Sequence, residues 1–142
     1  IKALFLNMGS KSIYENEEEI SSDILIVKSL GILPTLYANA QLAFVGGSLV
    51  NRGGHNIIEP AIAKCPFILG ENYFNFKNIV ESFLSAKATH IVKTPSDIFE
   101  LFYKTFKNKD DFREDMIRNA NTVIEKNIGA TIRQLSLIRA SL

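Results

Sequence analysis

Short apolar runs alternate with amphipathic stretches along this chain, and that alternation limits its fold more than any other feature. Residues 3–7 (ALFLN), 24–28 (ILIVK), 42–46 (LAFVG), 66–70 (PFILG) and 90–93 (HIVK) read as strands. Nearly continuous apolar runs of this length suit parallel strands buried on both faces. Residues 36–40, 56–64, 76–87 and 95–107 read as helices between or after them. Asn56 is a candidate N-cap with Glu59 three residues on, and Pro60 falls in the first turn, where its missing N–H is tolerated. Pro95, after Thr94, suits a first helical position. Phe112, Met116, Ala120 and Val123 repeat at helical spacing, as do Ile128, Ile132 and Leu135, with Gly129 as an expected break between two helices. Strands alternating with helices imply βαβ units, a parallel sheet and right-handed crossovers. The expected class is therefore α/β, a Rossmann-like parallel sheet flanked by helices. Ligands of such sheets bind beyond the carboxyl ends of the strands.

Composition removes several alternatives. The 142 residues are 46% hydrophobic and 22% charged, which suits one globular domain rather than a disordered chain. A net charge of +1 is too small for a general nucleic-acid binder, so no nucleic-acid partner is expected. The charge is uneven. Glu15, Glu17, Glu18, Glu19 and Asp23 outnumber the lysines of the first thirty residues, while basic residues prevail after Leu101. Both read as solvated faces. No apolar stretch approaches the ~18–20 residues of a membrane span, and the start lacks the pattern of a signal peptide. The single cysteine, Cys65, allows no internal disulfide and fits a reducing compartment. The first residue is Ile1 rather than Met, so a fragment is expected.

Four of the eight glycines lie between residues 46 and 54, in FVGGSLVNRGGHNIIE. A strand closes in Gly46-Gly47-Ser48, a loop carries Gly53-Gly54, and a helix begins near Asn56. Glycines permit positive φ and close approach of a ligand. A helix start adds unpaired N–H groups and a positive dipole end, so the segment is a candidate phosphate or carboxylate site. The spacing is neither the dinucleotide fingerprint nor a P-loop. Glu59 would be repelled by a phosphate, and a ribose diol is its natural partner, since a carboxylate accepts from both hydroxyls. His55 is a candidate donor to a phosphate or sugar oxygen, and Ile57 and Ile58 lie between these polar residues. Two further strand-to-turn segments, Leu30-Gly31-Ile32 and Gly70-Glu71-Asn72, belong to the same expected edge, with Asn75 as a cap beyond the second. No nucleophile–base constellation and no metal-ligand spacing is legible, so no catalytic residue, metal or cofactor is expected.

The run GGSLVNRGGHNIIEPAIAKCPFILGENYFNF, preceded by LYANAQLAFVGG, resembles the donor-domain signature of bacterial 3-deoxy-D-manno-octulosonic acid (Kdo) transferases. The resemblance covers roughly residues 24–87, and Asn127-Ile128-Gly129-Ala130 is similar to a further family element. It implies the C-terminal half of a two-domain GT-B glycosyltransferase, so residues 1–142 would be one CMP-Kdo-binding domain cut at its N-terminal side. It further implies a lipid A precursor as acceptor, partnership with the N-terminal domain of the same enzyme, and work at the cytoplasmic face of the inner membrane. The general base would lie in that other domain. The implied donor-binding set is Leu30, Gly31, Ile32, Gly46, Gly47, Ser48, Gly53, Gly54, His55, Asn56, Ile57, Ile58, Glu59 and Asn75. Within it Glu59 would hold the ribose and the helix start at Asn56 would face the phosphate. Two departures stand out. Ile32 replaces a family glutamate, and Glu71-Asn72 replaces a Pro-His pair. A UDP-dependent enzyme and a non-catalytic nucleotide-binding module are the alternatives.

Overall fold

The computed structural model describes residues 12–14, 24–27, 30–107 and 111–140. The chain divides into two compact units, Ile1–Leu33 and Pro34–Leu142. In the first, β1 (Ser12–Tyr14) pairs in parallel with β2 (Ile24–Ile26), Ser12 opposite Ile24 and Tyr14 opposite Ile26. The expected strand at residues 3–7 lies outside the described residues. A strand at Ser12–Tyr14 was not expected, because three residues are too few to show a period.

The second unit carries the expected alternation. Helix α1 (Leu33–Asn39) leads to β3 (Ala43–Val45), α2 (Ile58–Ile62), β4 (Phe67–Gly70), a 3₁₀ turn (Phe74–Phe76), α3 (Lys77–Ser85), β5 (Thr89–Val92), α4 (Pro95–Lys107) and α5 (Asp111–Ala140). The sheet order is β3-β4-β5 and every pairing is parallel. Val45, Leu69 and Ile91 share one rung, and Phe44, Ile68 and His90 share another.

Burial on both faces explains the near-continuous apolar runs. Phe67 and Leu69 point to one side, where Ile57 and Ala61 of the α2 segment, Val80 and Phe83 of α3, and Ala120 and Val123 of α5 pack. Ile68 and Val92 point to the other, against Met116 of α5 and, more loosely, Ile98, Leu101 and Phe102 of α4. The crossover helices α2 and α3 thus share a face, as equal-handed βαβ connections require. Phe67 and Phe83 meet as tilted rings, 5.5 Å between centroids.

One expected helix break is absent, and α4 starts where the sequence placed it. Helix α5 is continuous over 30 residues and runs through Gly129. A glycine inside a helix costs about 1 kcal/mol relative to alanine, less than the burial of Met116, Ala120 and Val123 supplies upstream. Helix α4 begins in a reciprocal box. The backbone N–H groups of Lys93 and Thr94 donate to Asp97 Oδ2 at 2.8 and 2.9 Å, and the Asp97 N–H donates to Thr94 Oγ1 at 3.2 Å. Among the described residues, no helix is long and apolar enough to cross a membrane.

Candidate functional site

Two of the segments singled out by the sequence, those after β3 and β4, emerge together at the carboxyl edge of the three-stranded sheet. Gly46-Gly47-Ser48 follows β3, Gly70 ends β4, and Glu71, Asn72 and Asn75 follow it. Leu30, Gly31 and Ile32 fall in the first unit. Leu30 is fully exposed, and Gly31 has φ +85 with open space where a Cβ would stand.

The glycine clump is filled by the protein's own groups. Gly47 has φ +72, and a Cβ there would come within 3.1 Å of His55 Nε2. The imidazole therefore lies over the first glycine pair. Gly53 has φ +82, and its missing side chain makes room for the Asn75 carboxamide and the Phe74 ring. Gly54 (φ +75) lies against the backbone of Asn72 and Tyr73. Gly53 and Gly54 are buried, and Gly46 and Gly47 are half-buried. The expectation that these glycines open the backbone to a ligand is thus corrected at the second pair, which is closed by the loop after β4.

Ser48 and Ile57 also change role. Ser48 is fully buried; its hydroxyl donates to Val45 O at 2.5 Å and accepts from the Gly70 N–H at 2.8 Å. Its carbonyl accepts from the Asn72 backbone N–H at 2.9 Å and from Asn72 Nδ2 at 3.3 Å. It fastens two loops and presents no hydroxyl to solvent. Ile57 has no exposed surface and anchors the turn from within the core. Asn75 does not cap a helix with its side chain. Its Nδ2 donates to Arg52 O at 3.2 Å and its N–H to Gly53 O at 3.3 Å, closing the loop from the other side.

The exposed polar set is His55, Asn56 and Glu59. Helix α2 has only five residues, so its dipole is small, and Ile57 rather than Asn56 occupies the cap position. Asn56 acts one residue earlier. Its Oδ1 accepts from the Ile58 N–H at 3.0 Å, and its Nδ2 donates to Glu59 Oε1 at 3.4 Å. The Ala61 N–H goes to Ile57 O and Pro60 has none. At most one first-turn donor, that of Glu59, remains for an anion, where the sequence suggested several. An anionic ligand here depends more on His55 than on the helix end.

Tyr37 of α1 is a neighbour that motif spacing did not reveal. Burial raises its phenol pKa above the ordinary value, and the charges of Glu59 and then Cys65 add to the effect. The phenol thus stays a proton donor on the Glu59 side. Cys65 is buried, which pushes its thiol up, with Arg113 opposing. An open groove of about 480 Å³, lined by Lys64, Glu114, Arg118 and Glu125 among others, lies against α5 and includes none of residues 46–59.

No protein-family model matches the chain. Individual proteins do. A 3-deoxy-D-manno-octulosonic acid transferase of Haemophilus influenzae is 33% identical over 119 residues, spanning 84% of this chain and 28% of the relative. One from Bordetella pertussis is 36% identical over 88 residues, 62% of this chain and 21% of the relative. The crystal structure of the C-terminal CMP-Kdo binding domain of WaaA from Acinetobacter baumannii superposes with a TM-score of 0.74 at 29% identity, covering 80% of this chain and 60% of that one. The chain belongs to the Kdo transferase family. It spans less than a third of the length of the curated family members it matches. The α/β sheet flanked by helices is the fold of the matched WaaA domain.

Proposed function

We propose that this chain is the donor-binding part of a Kdo transferase and holds CMP-Kdo at the loops after β3 and β4. The observation that carries this reading is the likeness to the CMP-Kdo binding domain of WaaA, joined to the placement of His55, Asn56 and Glu59 at the sheet's carboxyl edge. Residues 1–142 would form one domain of the enzyme. Glu59 accepts hydrogen bonds from the ribose hydroxyls, as an exposed carboxylate can. His55, seated on Gly46-Gly47, donates to the phosphate side of the nucleotide.

In the whole enzyme a base outside these 142 residues removes a proton from a hydroxyl of the lipid A precursor. That oxygen attacks the anomeric carbon of Kdo, and CMP departs. Donors fixed beside the leaving phosphate lower the barrier without reorganising during the reaction. The enzyme would act at the cytoplasmic face of the inner membrane, where that acceptor lies, together with its N-terminal domain. The test is Glu59→Ala in the full-length transferase. A charged hydrogen bond contributes enough that kcat/KM for Kdo transfer should fall roughly 10- to 100-fold. Unchanged transfer overturns the assignment.

A further inference from the structure

We infer that Asn56 is a positioning residue that sets the orientation of the Glu59 carboxylate, and so fixes how strongly the site discriminates ribose from deoxyribose. This rests on the reading of Glu59 as the ribose acceptor. Both ends of the Asn56 carboxamide are engaged within the protein: Oδ1 takes the Ile58 N–H at 3.0 Å and Nδ2 reaches Glu59 Oε1 at 3.4 Å. The flanking residues hold this pair still. Ile57 and Pro60 are both buried, so the short turn from Asn56 to Glu59 is pinned to the core at its second residue and again at the residue that follows it. Glu59 itself is exposed and carries a flexible side chain. A single amide donor on Oε1 limits the rotamers of Glu59. Asn56 therefore acts on a nucleotide through Glu59 rather than by direct contact.

Two substitutions separate that role from simple capping. Asn56→Ser keeps a side-chain oxygen for the Ile58 N–H and removes the donor to Glu59. Asn56→Asp keeps the acceptor and replaces attraction to Glu59 with repulsion. The readout is the ratio of affinities for CMP and 2′-deoxy-CMP, measured calorimetrically on the full chain, a quantity that a purely structural role would leave unchanged. The wild-type ratio should be roughly tenfold or more, since 2′-deoxy-CMP lacks one hydroxyl that a carboxylate would bind. Glu59→Ala should bring it to about one. Asn56→Ser should reduce it to roughly two- to threefold and Asn56→Asp further, each with an unfolding midpoint close to wild type. Combining Asn56→Ser with Glu59→Ala should add nothing to Glu59→Ala alone.

Loss of the ratio in Glu59→Ala with retention in both Asn56 variants overturns this inference alone. An unchanged ratio in Glu59→Ala overturns the ribose assignment and the inference with it. Absence of CMP binding by the wild-type chain overturns the donor-site reading as a whole.

Discussion

The Gly70 backbone N–H donates to Ser48 Oγ at 2.8 Å, joining the end of one buried strand to the loop that leaves its neighbour. Ser48 passes the link on by donating to Val45 O, so a single hydroxyl satisfies a donor and an acceptor that water cannot reach. Ser48→Ala strands both groups, and an unsatisfied buried polar group costs about 1–3 kcal/mol. Urea denaturation should show a loss of that size. Gly70→Ala should be worse, because its Cβ would fall on the Ser48 carbonyl. A neutral Ser48→Ala would mean that the hydroxyl does not join the loops.

Gly46 and Gly47 should respond differently to the same change. An alanine Cβ at Gly46 meets His55 at an ordinary 3.8 Å, so Gly46→Ala should be tolerated. Gly47→Ala must hold φ near +72 and press a Cβ to 3.1 Å from the imidazole. The left-handed conformation alone costs about 1–2 kcal/mol for a non-glycine residue. Removing the ring with His55→Ala should recover the steric part in the Gly47→Ala background. Equal stability losses at both glycines, measured by chemical denaturation, would contradict a His55 ring seated on Gly47.

Asp97 makes the start of α4 sensitive to acid. Backbone hydrogen bonds from Lys93 and Thr94, with help from the Thr94 hydroxyl, lower its carboxyl pKa below the ordinary 3.8. The unfolded chain thus takes up this proton more readily than the folded one. The contribution is present above the ordinary value and disappears as pH falls through the lowered one. Asp97→Asn should be less stable than wild type near neutrality, and the gap should close on acidification. A gap that stays constant down to pH 2 would show that the box contributes nothing through charge.

His90 is sensitive in a higher range. Burial lowers its pKa below the ordinary 6.5, and nearby Lys104 lowers it further; its ring stacks on Phe112 at 5.2 Å. Because the folded value is depressed, this contribution is present above pH 6.5 and is lost as pH falls through the folded value. His90→Phe keeps the stack and should flatten the stability curve between pH 7 and 5. Lys104→Gln should move the His90 titration upward, read from its ring proton resonances. No movement would remove Lys104 as a cause.

The sheet of the second unit was legible because Val45, Phe67, Leu69 and Val92 are buried in strands covered on both sides, which leaves a plain apolar run in the sequence. The pairing of Asn56 with Glu59 was legible because their three-residue spacing is local, although the cap falls at Ile57 and not at Asn56. Ser48 was not. A serine after two glycines looks like a ligand-facing hydroxyl, and its burial is caused by Gly70, 22 residues on. Asn75 misled for the same reason, as its partner Arg52 is 23 residues away. Gly129 looked like a stop because helix propensity is local, whereas α5 is stabilised by the core contacts of its first half.

Competitive calorimetry of CMP against UMP on the full chain tests the donor-site account most directly. The account predicts saturable, weak binding of CMP, at least several-fold tighter than UMP, and a roughly tenfold weakening of that binding in Glu59→Ala. No CMP binding, or a clear preference for UMP, would contradict it.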